Sequence, residues 1–190
     1  MDKDLRTPPA LLEREQCLLV IIDMQQKLVP LMADKERLIA NVSRLARFAR
    51  IVGMPVVVSE QTNLGPTIEQ IASVLPHAVE PVEKISFDCF GCGPFQEKLW
   101  EHQRPVLAIA GIESHICVAQ TALSGLVGHE VHVIADAVAS RYEPNRQVAL
   151  RRLEQAGAVI SSTEMFMYEV LGRAGTDEFR AVLPLVKETP

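Results

Sequence analysis

Three residues of this chain have the types and settings for covalent chemistry at a carbonyl: Asp23, Lys84 and Cys117. Cys117 lies in the stretch Pro105 to Leu123, which reads as a buried strand, a tight turn at Gly111, and a helix beginning near Cys117. Free amide N–H groups and the positive end of a helix dipole favour a thiolate at such a place, and the thiolate is the nucleophile. Asp23 closes an apolar run, where a carboxylate is costly unless it is paired or hydrogen-bonded. Lys84 follows a third strand signal. Together the three suggest a general base (Asp23), an ammonium that holds the base and favours the thiolate (Lys84), and a nucleophile (Cys117). Taken singly, each has a plainer reading: a packed cysteine, a helix-capping aspartate, and a lysine with its head in water.

The elements that position these residues alternate between strand and helix. Cys17 to Ile22 is the first strand, and Arg37 to Val52 is a helix closed by Gly53 and Pro55. Pro55 to Ser59 is the second strand, and Thr67 to Leu75 a short helix. A third strand lies around Val79 to Lys84, weakened by Pro81. A helix over Pro94 to His102 precedes the fourth strand, Val106 to Ala110. A helix from Ile116 to Val127 precedes the fifth strand, His129 to Asp136. Asn145 to Ala156 is helical, Ala158 to Ser162 is the sixth strand, and Met165 to Leu171 and Asp177 to Lys187 close the chain as helices. This order predicts an α/β protein: a three-layer α/β/α sandwich with a six-stranded, mostly parallel sheet and helices on both faces, in one domain over residues 1–190. Sites of open sheets form at the carboxyl ends of the strands, where Asp23, Lys84 and Cys117 all fall.

Composition narrows the function. With 24 acidic and 19 basic residues, the formal net charge is −5, which argues against a general nucleic-acid or anionic-membrane surface. No apolar run approaches the roughly 20 residues that span a bilayer. The first nine residues mix charges and lack the apolar core of a signal peptide, so the chain is read as cytosolic and its cysteines (17, 89, 92 and 117) as reduced thiols.

The segments Leu19 to Gln25, Glu83-Lys84 with Phe87, and Gly111-Ile-Glu-Ser-His-Ile-Cys117-Val with Thr121-Ala122, in this order and spacing, resemble the isochorismatase-like cysteine hydrolases. The resemblance runs from Leu18 to about Ser162. It implies a catalytic triad of Asp23, Lys84 and Cys117, and a cis peptide between Ile112 and Glu113 that turns the Glu113 and Cys117 N–H groups toward one oxyanion. It also implies a homo-oligomer. Metal-binding nicotinamidases of that superfamily carry an Asp and His residues after the second strand. Here Ser59 to Thr67 contains no His, and His77 is the nearest, so no metal is expected. The stretch resembles instead the isochorismatase domain-containing hydrolases. No G-x-G-x-x-G follows the first strand, so no dinucleotide is expected either, and the reading needs no cofactor.

The leading expectation is therefore metal-independent hydrolysis of a small molecule, at an amide-type C–N bond, through a covalent Cys117 intermediate. Gln25, Phe87 and Phe90 are the expected substrate-binding residues. His115 has a capping or subunit-contact role and His132 packs in its strand. Asp136 has no assigned chemistry. Cys89 and Cys92 have redox or zinc-knuckle spacing, but nothing completes a zinc set. Two alternatives stand beside the hydrolase: a catalytically idle scaffold of the same fold that binds a partner protein, and a thiol redox protein. The retention of all three triad residues favours the enzyme.

Overall fold

β1 (Cys17–Ile22) and β4 (Val106–Ile112) are unbroken apolar runs, and such runs suit strands covered on both faces. In the computed structural model, which describes residues 11–76 and 79–188, they pair in parallel at the centre of a six-stranded sheet. With β2 (Val56–Gln61), β3 (Val82–Lys84), β5 (Glu130–Ala139) and β6 (Val159–Ser161), the order is β3-β2-β1-β4-β5-β6, and every pairing is parallel. The "mostly" of the expectation is thus unnecessary.

Alternation along β1 divides the core. Cys17, Leu19 and Ile21 join one apolar layer with α1 (Lys35–Val52), α6 (Thr163–Leu171) and α7 (Asp177–Lys187). Leu18, Val20 and Ile22 join the other. That second layer includes residues of α3 (Gly93–His102), α4 (Ala119–Gly125) and α5 (Glu143–Ala156). Phe48 of α1 meets Phe166 of α6 edge to face at 6.3 Å, locking two helices of one layer together.

Several boundaries move for physical reasons. The short helix after β2 shrinks to α2 (Glu69–Ala72). At its end the Glu69 carbonyl accepts both the N–H and the hydroxyl of Ser73. The third strand keeps only Val82 to Lys84, beyond Pro81, which has no N–H to give a ladder. The fifth strand does not stop at Asp136. The register against β4 shifts between Ile109 and Gly111, and pairing resumes with Gly111 opposite Val138. The irregular segment is held by side chains. The Asp136 carbonyl accepts from Arg37 Nη1 (2.7 Å) and Asn41 Nδ2 (2.8 Å), and its carboxylate accepts from the Thr163 N–H and hydroxyl. Arg146 donates to the carbonyls of Ala135 and Val138. Residues 1–9, which carry the signal-peptide expectation, and His77 lie outside the described residues.

Gly111 stands opposite Ile22 in the central pairing, at φ +111. A Cβ there would fall on the Ile22 backbone, against its carbonyl oxygen and nitrogen. Only glycine lets β4 approach the end of β1 this closely. Gly111→Ala is expected to destabilise the fold by about 3–5 kcal/mol, through backbone clash and an unfavourable φ. Gly128→Ala, where a Cβ meets open space, should stay within about 0.5 kcal/mol of the parent. Urea unfolding followed by circular dichroism measures both; equal midpoints for the two variants would contradict the close approach.

Candidate active site

Asp23 follows β1 directly and turns the chain with φ +51, a left-handed conformation that aspartate tolerates better than most residues. Its N–H donates to the Ser59 carbonyl (3.1 Å), and the Ser59 hydroxyl donates to Asp23 Oδ1 (2.8 Å). The other carboxylate oxygen, Oδ2, takes a 2.8 Å hydrogen bond from Lys84 Nζ. Both side chains of this ion pair are 0% exposed. Lys84 Nζ also donates to Gln61 Oε1 (2.8 Å) and to the Ser86 carbonyl (3.3 Å). Three oxygen acceptors therefore satisfy the three donors of the ammonium. Strand registry brings these partners together: Ile22 pairs with Ser59, and Gln61 with Lys84.

Burial pulls the Lys84 pKa down, but the charge and hydrogen bond of Asp23 outweigh it. The net shift is upward, so the ammonium stays charged.

Cys117 sits not in the first turn of an α-helix but in a π-helical turn, Ser114–Val118, that precedes α4. The Glu113 carbonyl accepts from the N–H groups of Ile116 and Val118, on either side of Cys117. The peptide bond between Ile112 and Glu113 is cis. The thiol is buried against Asp23 and Lys84. Burial, and then the Asp23 carboxylate, push its pKa up to about 12, although Lys84 pulls the other way. The resting thiolate expected from a helix start is thus corrected: desolvation and a facing anion outweigh the lysine.

The other sequence-derived residues divide. Gln25 is buried and works as a clamp. Its Nε2 donates to the carbonyls of Gln61 (2.9 Å) and Gly65 (2.5 Å), and its Oε1 accepts from the Gln61 N–H (2.8 Å). Its amide ties the loops after β1 and β2 instead of reaching for a substrate. Phe87, 53% exposed, stays on the rim beyond β3. Phe90 is not brought to the site. Asp88 caps a turn at Cys89–Gly91 and accepts from the Phe90 N–H. The Phe90 ring packs edge to face on Phe95 (5.7 Å) and lies 6.0 Å from His129, within the second apolar layer. His115 is held by Ser140 (Nδ1 to Oγ, 2.9 Å) and Asn145 (3.4 Å). His132 packs in β5 with Nε2 on Glu130 (2.8 Å).

Sequence reasoning gave Ser59, Gln61 and Thr121 no role of their own. Once β1 and β2 are paired in parallel, the end of β2 must lie beside Asp23, so the pairing itself was the available signal. Thr121, one turn past Cys117, accepts the Cys89 N–H (3.0 Å) and fastens that loop to α4. Cys89 is a buried free thiol pushed up to about 11 by burial; Cys92 is also free. Among the described residues no three His, Cys, Asp or Glu side chains come together to hold a metal.

The arrangement can store a neutral thiol beside the Asp23–Lys84 pair. Its pH behaviour follows from the sign of the shift. With a thiol pKa near 12, the rate of Cys117 alkylation by iodoacetamide should rise about tenfold per pH unit from pH 7 to 10 without a plateau. A thiol of ordinary pKa, about 8.5, would level off within that range. Mass spectrometry of the Cys117 peptide reads the rate, and a plateau below pH 9 would reveal a preformed thiolate instead.

Comparison with known proteins identifies the family and the fold. The Isochorismatase domain family matches residues 17–165. Mouse isochorismatase domain-containing protein 2A is 30% identical over 179 residues, covering 92% of this chain and 84% of that protein. The structure of MAR1 ribonuclease from Caenorhabditis elegans superposes with a TM-score of 0.89 at 29% identity, covering 95% of this chain and 94% of that one. The Escherichia coli YcaC gene product, described as an octameric hydrolase of unknown specificity, has the same fold: TM-score 0.87 at 21% identity, over 94% and 92% of the two chains. A family match across most of the chain, with these relatives beside it, places the protein in the isochorismatase domain family, whose three-layer α/β/α fold it shares.

Proposed function

We propose that the protein is a metal-independent cysteine hydrolase that cleaves an amide-type C–N bond of a small molecule, with Asp23, Lys84 and Cys117 as its triad. The buried contact between Lys84 and Asp23, with Cys117 facing the same carboxylate, carries the reading. Because the thiol rests protonated, its proton must leave as the C–S bond forms. Asp23 takes that proton while Cys117 attacks the carbonyl. The tetrahedral oxyanion is held by the backbone N–H groups of Glu113 and Cys117. Its collapse breaks the C–N bond, and the nitrogen departs with the proton from Asp23. Water, activated by Asp23, then attacks the thioester, releases the acid and restores the thiol. Lys84 keeps its proton throughout and holds Asp23 in place, which its upward shift supports.

The net charge of −5 and a thiol nucleophile favour a small substrate over the RNA named for the C. elegans relative. The octameric state of the E. coli relative supports self-assembly here.

A screen of small amides, ureas and vinyl ethers, with Cys117→Ala as the blank, tests the activity. On any amide substrate found, Asp23→Ala is expected to lower kcat/KM by about 10²–10⁴-fold, the usual range for a general base. Lys84→Ala should lower it as well. Intact-mass measurement after an electrophilic carbonyl probe should show a Cys117 adduct that is lost in both variants. Equal labelling in parent and variants would argue against the triad.

A further inference from the structure

Arg141 is a charged group, bonded to the residue that precedes the Cys117 turn, that the reaction above does not use. It lies two residues past the end of β5. Glu113 follows β4, and the two strands pair with Ile112 opposite Ala139. The Glu113 side chain is 5% exposed, and both its oxygens are engaged by Arg141: Oε2 accepts the backbone N–H (2.9 Å), and Nε reaches Oε1 and Oε2 at 3.1 and 3.2 Å. These bonds use one edge of the guanidinium. Among the described residues, the terminal Nη1 and Nη2 donate to nothing, and the side chain is 47% exposed. Arg146, near the same end of the sheet, differs in this respect, since its terminal nitrogens are committed to the Glu143 carboxylate and the Ala135 carbonyl; Arg37 commits one of its two, to the Asp136 carbonyl.

The same Glu113 also carries the turn of Cys117, through its carbonyl bonds to Ile116 and Val118. One residue therefore fixes the guanidinium relative to the nucleophile. A planar fork with free donors, anchored at one edge and open to solvent, is matched by a carboxylate in a bidentate pair. The nearby acids would not repel such a group strongly. Asp23 is paired with Lys84, Glu113 with Arg141 and Glu143 with Arg146, while Glu60 accepts from Thr67.

We infer that Arg141 binds a carboxylate of the substrate, so that the compound hydrolysed is a small anionic amide and not a neutral one. This rests on Cys117 being the nucleophile. Arg141 would be a binding residue, with Glu113 positioning it.

Paired thiol probes test the inference without a known substrate. Iodoacetate and iodoacetamide form a short pair that differs in charge. 3-Maleimidopropionate and N-ethylmaleimide form a longer one. For each pair, the ratio of labelling rates at Cys117, anionic over neutral, is measured by mass spectrometry at one pH for the parent and for Arg141→Gln. The neutral probe is the internal reference for each protein. The substitution is expected to lower the ratio at least fivefold in one pair or both. Arg141→Lys, which keeps the charge and loses the fork, should fall between. A ratio that stays within twofold in both pairs overturns the inference. So does a loss shared equally by both members of a pair, since that reports a disturbed Cys117 turn. Absence of Cys117 labelling by all four probes in the parent overturns the nucleophile reading itself, and with it this inference.

Discussion

The buried ion pair of Lys84 and Asp23 is the interaction around which the site is arranged. Two opposite charges with no exposure persist only if every remaining donor and acceptor finds a partner. Ser59, Gln61 and the Ser86 carbonyl supply those partners, and each sits where parallel pairing of β1, β2 and β3 must place it. Gln25 then fastens the loops above the pair, and Gly111 lets β4 come close enough to set the turn of Cys117 beside it. Sheet order and charge satisfaction thus solve one problem together. The strand order that covers both faces of β1 and β4 also gathers the three polar ends.

The central strands could be read directly because they are short apolar runs with no competing helix period. Most helix ends followed too, since Gly53 and Gly157 stop α1 and α5 in the left-handed conformation. The misreadings have a common origin in side chains that act across long sequence distances. Asp136 looked like the end of a strand, yet Arg37, Asn41 and Thr163 satisfy an irregular backbone there and the strand continues. Phe90 looked like a pocket wall because it neighbours Lys84 in sequence. The capped turn at Asp88 directs its ring into the second apolar layer instead. Gln25 was expected to face a ligand, but its partners are backbone groups some 36 to 40 positions away, which no local pattern reveals.

The candidate residues Asp23, Lys84 and Cys117 were legible in the sequence, and the electrostatics of the thiol were not. A helix start suggests a depressed thiol pKa. The structure places that thiol in a π-helical turn, dry and facing a carboxylate, and both effects act in the opposite direction. Which effect wins depends on burial and on the Asp23 contact, quantities that exist only once the sheet is assembled.

A thiol held neutral in this way has a further consequence, for durability. Peroxides and stray electrophiles react with thiolates, and susceptibility to oxidation follows thiolate character and access. Cys117 is 6% exposed and protonated at rest, and the second thiol at this end of the sheet, Cys89, is fully buried and protonated as well. Burial and the facing carboxylate, which keep the Cys117 thiol neutral, also keep it low on the oxidation ladder, with no disulfide to shield it.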